Sequence, residues 1–540
     1  MIDLFPNLGA LAAVATENRS TIFTVLLGAI PVYATLRCFY LLYLHPLSRF
    51  PGPRLAAVSN TWYAYHWLSG KWPWAIENAL REYGDVVRIA PNELVFFTPR
   101  AFHGKTTAPP PSFCPLIINR LWTDIYQSAQ KGLETFVKSD FQNRGDDLGG
   151  VVWEEDPVRH RAVAKQLAPL FTARHIRSME PVISKHIDYF IKRLREVGSD
   201  GVDICEWSHW YNMDLAADLS WNEETHQMRD GFVTEKRSIY LNVLLGFNKF
   251  ATVIQVFKRF PLIKPLQYCF LPISKISSIA QIEAAVKNGV LQRIERRGTL
   301  EHPDYFDCIL PGEKPLPADR KESYLIGSLA LQVMFANFGA LSDWLYGTIY
   351  LLTDDEGQEC YKELVAEIRG AFESFDDINA TALTSLPYLQ ACLEESLRLI
   401  PGGLHTGLPR LSPGATVDGH YVPKGTHVQS SIFAQSRSPR YFHEAKKFRP
   451  QRWLPPTHKL YDPAFKDDVL RGASPFSLGP RACSGRETGW VQGRFIVAKL
   501  LWTFDIVRVP GQDIDFDRDF VHFGFLDKPE LKVKFIPRFD

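Results

Sequence analysis

The chain has 540 residues, with 61 lysines and arginines against 60 aspartates and glutamates, giving a formal net charge of +1. Such balanced and interspersed charges exclude nucleic acid or another polyanion as the main partner. The eight cysteines include no Cys-x-x-Cys pair, which argues against a zinc site and a disulfide framework and favours a reducing environment for most of the chain.

The first element in chain order is an apolar segment at residues 21–43, which we interpret as a transmembrane anchor. Pro31 and Arg37 interrupt it, so a re-entrant segment and a cleaved segment remain alternatives. Arginines cluster on its C-terminal side, and the positive-inside rule would place that side in the cytosol. Residues 1–20 are then predicted to form a lumenal tail.

Residues 44–55 contain the sequence HPLSRFPGP, which predicts a stiff, proline-rich hinge between membrane and globular domain. A short helix is predicted at 74–83, followed by paired strands at 86–89 and 94–97. Residues 103–122 include three consecutive prolines and show no regular period. We interpret that stretch as an insertion, either a real one or the product of a mistaken exon boundary.

From Asp156 onward most long segments have helical spacing, and strand signals return around residues 416–429 and near the C-terminus. The predicted fold class is mainly α with small β-sheets. One of the helices, at 389–400, carries Glu395 and Arg398 three positions apart, where they share a face and can form an ion pair. Taken alone, such a pair usually marks a solvated helix face.

The most informative stretch is FSLGPRACSG at residues 476–485, a glycine-bounded loop that leads into a helix. Gly479 and Gly485 would let the backbone turn tightly and approach a flat macrocycle. Cys483 is then a thiolate ligand for haem iron, and Arg481 can pair with a haem propionate. The alternative is a free cysteine in a surface turn.

Five residues of this loop match the fixed positions of the signature F-x-x-G-x-R-x-C-x-G, namely Phe476, Gly479, Arg481, Cys483 and Gly485. The chain therefore resembles the cytochrome P-450 family of haem-thiolate enzymes. The resemblance implies haem b (iron protoporphyrin IX) as cofactor, with these five residues in its binding loop and Cys483 as the axial iron ligand.

The same resemblance implies the cytochrome P-450 fold over residues 56–540, preceded by the transmembrane helix. The chain resembles microsomal members in particular. This resemblance implies a single-pass protein of the endoplasmic reticulum membrane with the catalytic domain facing the cytosol. The expected electron donor is NADPH-cytochrome P-450 reductase, with cytochrome b5 as a further donor.

Supporting residues of the family also have counterparts here. Arg410 and His160 stand where family members contact the haem propionates, although an ordinary helix histidine is the alternative for His160. Glu395, Arg398 and Arg452 resemble the buried charge triad that stabilises the core behind the haem, a structural role. Loss of haem incorporation is the phenotype expected when one of them is removed.

One feature departs from the family pattern. Members that activate oxygen usually carry an acid followed by a threonine in the long helix over the haem, which corresponds here to residues 324–352. This chain has Ala336 and Asn337 at those positions, or Gly339 and Ala340 if the register is shifted by three. Asn337 is the candidate distal-helix residue, since an amide both donates and accepts. It would alternatively satisfy a carbonyl at a helix kink.

The resemblance, which is strongest to filamentous-fungal members, implies a membrane-bound monooxygenase. Such an enzyme would use dioxygen to hydroxylate or otherwise oxidise a lipophilic secondary metabolite. Substrate contacts are expected from residues 260–272, 404–408 and 522–526, which are mostly apolar. The missing acid and threonine leave an isomerase, dehydratase or cyclase without dioxygen activation as an alternative. A non-catalytic haem-binding protein is a third.

Overall fold

The computed structural model describes residues 19–97, 124–130, 132–139, 150–234, 237–296, 299–300, 302–311, 315, 320–403 and 409–539. The interpreted insertion at 103–122, residues 1–18 of the predicted tail and the expected substrate contacts at 404–408 lie outside the described residues.

Helices make up most of the described chain, as the predicted class requires. In chain order they are α1 (Arg19–Phe39), α2 (Arg54–Val58), α3 (Thr61–Leu68), α4 (Trp72–Tyr83), α5 (Pro157–Leu167), α6 (Ala173–Val197), α7 (Ile204–Trp221), α8 (Gln227–Thr234), α9 (Ile239–Gly246), α10 (Asn248–Phe257), α11 (Ile276–Glu295), α12 (Phe306–Ile309), α13 (Arg320–Thr353), α14 (Gln358–Ala371), α15 (Pro387–Leu399), α16 (Ile432–Ser436), α17 (Arg486–Thr503) and α18 (Phe516–Asp519).

The strands are short. They are β1 (Val86–Ala90), β2 (Glu93–Phe96), β3 (Ala129–Gln130), β4 (Leu133–Glu134), β5 (Val137–Lys138), β6 (Val202–Asp203), β7 (Arg410–Leu411), β8 (Ala415–Val417), β9 (His420–Val422), β10 (His427–Ser430), β11 (Phe504–Arg508), β12 (Val521–His522), β13 (Leu526–Asp527) and β14 (Lys532–Pro537).

The centre of the core is α7, which is buried on nearly every side; apolar and aromatic residues are spread around its circumference, and its buried Asp214 and Asp218 are hydrogen-bonded. The long helix α13 packs along α7, and α15 and α17 pack against α13 in turn. A single large apolar cluster contains residues of all four helices. The core therefore fixes α13, α15 and α17 relative to one another, and these are the helices that carry or adjoin the candidate site residues.

The largest sheet has the strand order β1-β2-β10-β7-β5. β1 and β2 are antiparallel, β10 joins β2 in parallel, and β7 lies antiparallel to both β10 and β5. In the last pairing Lys138 is the direct partner of Arg410. Directly opposite residues project from the same face of a sheet, so this register places two cationic side chains side by side.

The predicted hinge is packed against the globular domain. Leu47 is fully buried and Phe50 is 7% exposed. The buried guanidinium of Arg88, on β1, donates to the carbonyl of Leu41 at 2.7 Å, at the end of the apolar segment. The backbone N–H of Arg88 also donates to the carbonyl of Pro51 at 2.8 Å, so residues 44–55 are attached to the first sheet by both apolar and polar contacts.

The predicted membrane anchor falls on α1, which contains Pro31, and on a π-turn at Tyr40–Leu44. Large apolar side chains between residues 30 and 44 are mostly exposed. Within the described residues, Leu325–Thr353 has the length and hydropathy of a membrane span, and two bent helix pairs would raise the number to three. In Leu325–Thr353, 67% of the apolar window is buried inside the protein, which is typical of a core helix. A span at 21–43 remains a prediction.

Candidate functional site

The cysteine loop is a tight turn that ends at the N-terminus of α17. Gly479 has φ +76°, and a Cβ there would lie 2.0 Å from the carbonyl oxygen of Tyr126. Both facts require glycine at this position. The backbone N–H of Cys483 donates to the carbonyl of Phe476 at 2.8 Å and closes the loop.

Gly485 differs from the prediction. Its φ is −83°, which any residue adopts, and a Cβ would make ordinary contacts with Phe171 and with the Cys483 sulfur. The tight turn therefore depends on Gly479 and not on Gly485. The backbone N–H of Gly485 instead bonds to the Cys483 thiol.

Cys483 is exposed near the end of this loop. Its side chain keeps an accessible surface although protein atoms surround it. Burial raises the pKa of this thiol, while the N–H of Gly485 opposes the rise. The N-terminus of α17, three residues further on, also favours negative charge. A bound metal ion would deprotonate such a thiol outright, so the donor is suited to hold iron as a thiolate.

A buried basic cluster lies beside the loop and consists of Lys138, His160, Arg410 and Arg481, with Glu134 as its acidic member. The Arg481 Nε donates to the Glu134 carboxylate at 2.6 Å. Arg410 is 3% exposed and Lys138 is its strand partner. Three of these five groups are cations, namely Lys138, Arg410 and Arg481, and only Glu134 is a carboxylate.

The pKa values in this cluster are lowered first by burial and then by neighbouring positive charge. Burial first, then Arg410 and Arg481, lower the pKa of Lys138 to about 7. Burial and then Arg481 lower the pKa of His160 to about 4. Burial likewise lowers the pKa of Arg410 to about 10. Additional carboxylates in this region would stabilise all three charged forms, so the cluster fits the two propionates of a haem.

The three residues of the predicted charge triad are brought together in the core. The guanidinium of Arg398 donates to both carboxylate oxygens of Glu395, at 2.8 and 2.7 Å. Arg452 donates to the same carboxylate at 3.0 Å. All three side chains are fully buried. Burial alone would raise the pKa of Glu395, but Arg398 and Arg452 hold it below its ordinary value.

A fourth member of this network was not predicted from the sequence. The carboxylate of Asp468 accepts a hydrogen bond from Arg452 and another from the backbone N–H of His443, the latter at 2.6 Å. Its neighbour Asp467 is exposed. The sequence does not indicate which of the two aspartates is buried, since they are adjacent in the segment FKDDVL.

The distal-helix candidates lie on α13. Ala336 and Ala340, one turn apart, are exposed, whereas Phe338 and Gly339 between them are buried. One face of this core helix therefore opens into accessible space lined by methyl groups. Asn337 is half-buried. Neither register of the helix brings a carboxylate and a hydroxyl to this face.

The expected roof of the pocket has an unusually apolar exterior. The segment Pro261–Phe270 is a 3-10 helix in which Leu262 is 97% exposed and Tyr268 is 65% exposed. Ile273, which follows it, is 81% exposed. Such a contiguous apolar surface marks an interaction site.

Sequence reasoning missed Glu134 and Lys138 as well as Asp468. Glu134 and Lys138 lie on two-residue strands in a segment without period, and only their pairing with distant parts of the chain brings them to the cysteine loop. The signal is a half-buried lysine directly opposite a buried arginine, and it exists only in three dimensions.

The family model described as Cytochrome P450 matches residues 125–535. The chain is 44% identical over 521 residues to Cytochrome P450 monooxygenase TwmD of Talaromyces wortmannii, covering 96% of each chain. It is 31% identical over 507 residues to Cytochrome P450 monooxygenase BOA3 of Botryotinia fuckeliana, covering 93% of this chain and 94% of the relative. It is 32% identical over 504 residues to Cytochrome P450 monooxygenase poxC of Penicillium oxalicum, covering 93% and 92%.

Proposed function

The chain belongs to the cytochrome P450 family and is an enzyme of its monooxygenase class, and we propose that it oxidises a lipophilic secondary metabolite with dioxygen and electrons from an NADPH-dependent reductase. The observation that carries this proposal is the placement of Cys483 on a closed turn, where its side chain stays accessible. Membership in a class of enzymes argues against the non-catalytic alternative.

The family implies a haem iron cofactor, and we propose haem b in this chain. Bound haem would supply dioxygen activation and the transfer of one oxygen atom to a C–H bond. Cys483 would hold the iron as a thiolate, and Arg410, Arg481 and Lys138 would hold the propionates. The buried network around Glu395 would keep the supporting core rigid.

In this proposal, the side of α13 that carries Ala336 and Ala340 faces the substrate and controls the delivery of protons. The side chains of Ala336 and Ala340 are small and exposed, so they leave room for a bulky apolar substrate. Their methyl groups alone exclude little water. Asn337 is the polar group of this stretch that we propose positions water or substrate oxygen. The missing acid and hydroxyl also favour a second candidate, an isomerase, dehydratase or cyclase that does not activate dioxygen.

Co-expression with a reductase separates these candidates. The proposal expects a carbon-monoxide difference spectrum of the thiolate type, and NADPH and dioxygen consumed in proportion to product. Cys483→Ser should abolish that spectrum, whereas Cys269→Ser, at an exposed cysteine, should preserve it. Turnover without reductase and NADPH would favour the second candidate. A thiolate-type spectrum from Cys483→Ser would refute the site.

We further propose that the protein is a single-pass protein of the endoplasmic reticulum membrane with its catalytic domain in the cytosol, served by NADPH-cytochrome P-450 reductase and by cytochrome b5. The exposed apolar side chains at Leu262 and Ile273, together with α1, support contact with a lipid surface.

Vesicle flotation of a chain lacking residues 1–38 tests whether the segment Pro261–Phe270 and Ile273 contribute to membrane binding. Leu262→Glu with Ile273→Glu should reduce binding to vesicles. Val158→Glu, at an apolar residue 61% exposed elsewhere on the surface, should not. Equal binding of all three proteins would contradict a membrane contact at the roof.

A further inference from the structure

A buried glutamine on α13 binds the loop that precedes α5. Gln332 is 2% exposed and lies one helical turn before Ala336. Its Oε1 accepts from the backbone N–H groups of Val151 and Val152, at 3.1 and 3.0 Å. Its Nε2 donates to the Ser328 hydroxyl at 3.2 Å. Both ends of the amide are therefore engaged, and α13 sets the position of two adjacent backbone N–H groups.

This loop, residues 150–155, is shaped around the glutamine side chain. Gly150 has φ +89°, and a Cβ there would lie 2.3 Å from the Nε2 of Gln332 and 2.5 Å from its Oε1. Both the positive φ and the close approach require glycine. The next residue, Val151, packs against the main apolar cluster. The conformation of the loop and the amide of Gln332 therefore fit each other closely.

The carbonyl groups of the same loop bind the basic cluster. The carbonyl of Val152 accepts from the Nζ of Lys138. The carbonyls of Glu154 and Glu155 accept from the two terminal nitrogens of Arg481, at 2.5 and 3.3 Å. Val152 thus bonds to α13 through its N–H and to Lys138 through its carbonyl.

The loop also leads directly into α5. The Asp156 side chain caps this helix by accepting from two backbone N–H groups of its first turn, at 2.9 and 2.8 Å. His160, another member of the cluster, lies on α5 four residues later. A displacement of the loop would therefore reach Lys138, Arg481 and His160 together.

The position of the loop depends on the glutamine because residues 150–155 lie outside the helices and strands. A buried backbone N–H without an acceptor is costly. If Gln332 no longer offered its carbonyl oxygen, the N–H groups of Val151 and Val152 would turn toward water, and Val152 is already 37% exposed. That turn would displace the carbonyls that hold the two cations of the cluster.

We propose that Gln332 is a positioning residue of the haem site, which acts through the 150–155 loop to hold Lys138 and Arg481 where they bind the propionates. The inference rests on the proposed function, because the propionates belong to the haem proposed there. One side chain thereby connects the helix that faces the substrate with the cations that hold the cofactor. Its removal should weaken haem retention.

Hydrogen exchange of the full-length holoprotein, resolved to single amides, tests whether Gln332 holds the loop. Gln332→Met removes the amide acceptor with little change in volume and should accelerate exchange at Val151 and Val152 roughly tenfold. Gln332→Glu keeps an acceptor oxygen of the same reach and should restore slow exchange. Ser328→Ala removes only the partner of Nε2 and should leave both amides protected. Unchanged exchange in Gln332→Met would overturn the proposal.

Haem transfer to apomyoglobin tests whether the loop positions the cations. Gln332→Met should accelerate transfer roughly tenfold, and Gln332→Glu should restore the slow rate. In a Lys138→Met background, Gln332→Met should accelerate transfer only about threefold, because one of the two cations that it positions is already gone. A general loss of stability would act equally in both backgrounds, so a full tenfold effect in that background would overturn the proposal.

Failure of this inference differs from failure of the proposed function. If the wild-type protein gives the thiolate-type carbon-monoxide spectrum and Gln332→Met releases haem at the wild-type rate, the positioning role is wrong and the proposed function stands. If the wild-type protein gives no such spectrum, the proposed function is wrong, and the positioning role is refuted with it.

Discussion

The substitution Asp468→Asn tests whether the charge network behind the site has four members. Arg452 has no exposed side-chain surface, and it donates to both Glu395 and Asp468. An asparagine would keep an acceptor for the backbone N–H of His443 but would remove the negative charge that faces Arg452. Breaking a buried ion pair by removing one partner costs about 3–5 kcal/mol.

The lower end of that range applies, since Arg452 retains Glu395. We expect a loss of about 3 kcal/mol, or roughly a hundredfold in the unfolding equilibrium. Total stabilities are about 5–15 kcal/mol, so the loss should be evident as a lower urea midpoint. Soret absorbance and tryptophan fluorescence, measured in parallel, report haem loss and unfolding and show whether the two coincide.

The matched control is Asp467→Asn, one residue earlier and exposed to solvent. It removes the same charge from the same loop without touching Arg452. Surface substitutions of this kind usually change stability by less than about 0.5 kcal/mol. If both variants unfold at the same urea concentration, the network ends at Arg452 and the reasoning about Asp468 is wrong.

Three further predictions concern residues around the proposed haem site. Lys138→Met should speed haem transfer to apomyoglobin about tenfold, whereas Lys165→Met, at an exposed lysine, should not; equal rates would remove Lys138 from the propionate site. Gly339→Ala would place a Cβ 2.6 Å from the Phe525 ring, so 4-phenylimidazole should bind about tenfold more weakly while imidazole binds as before; an unchanged ratio would contradict that contact. The pKa of His160, lowered to about 4 from 6.5, means that the unfolded chain binds this proton more tightly. The stability of the haem-free chain should therefore fall as pH drops from 6.5 toward 4, and His160→Gln should reduce that slope in urea unfolding; an identical slope would show that His160 titrates normally.

Local sequence was sufficient where a function depends on a contiguous segment. The cysteine loop is such a segment, and Gly479 adopts the strained backbone that the pattern implies. The pairing of Glu395 with Arg398 is also local, because helical spacing brings them together. The family resemblance likewise placed a long helix at 324–352, where α13 lies, and 67% of its apolar window is buried inside the protein.

Contacts between distant segments could not be read in this way. Lys138 reaches the site only because β5 pairs with β7, and two-residue strands carry no alternation that reveals their register. Asp468 and Asp467 are chemically identical and adjacent, and only the packing of an irregular loop buries one of them. The same limit applies to Gly485, whose place in a signature indicated a tight turn that the backbone does not make there.

The attachment of the N-terminal segment to β1 affects how the domain is oriented and where the chain can be truncated. Arg88 is bound to the carbonyl of Leu41, and Leu47 is part of an apolar cluster. These contacts restrict movement of the domain relative to the C-terminal end of α1. The domain should therefore keep a constant tilt relative to the surface that α1 enters. A version truncated before residue 41 should fold normally, whereas removal through residue 50 would uncover the apolar cluster that Leu47 and Phe50 share with Val86 and Phe96 and promote aggregation.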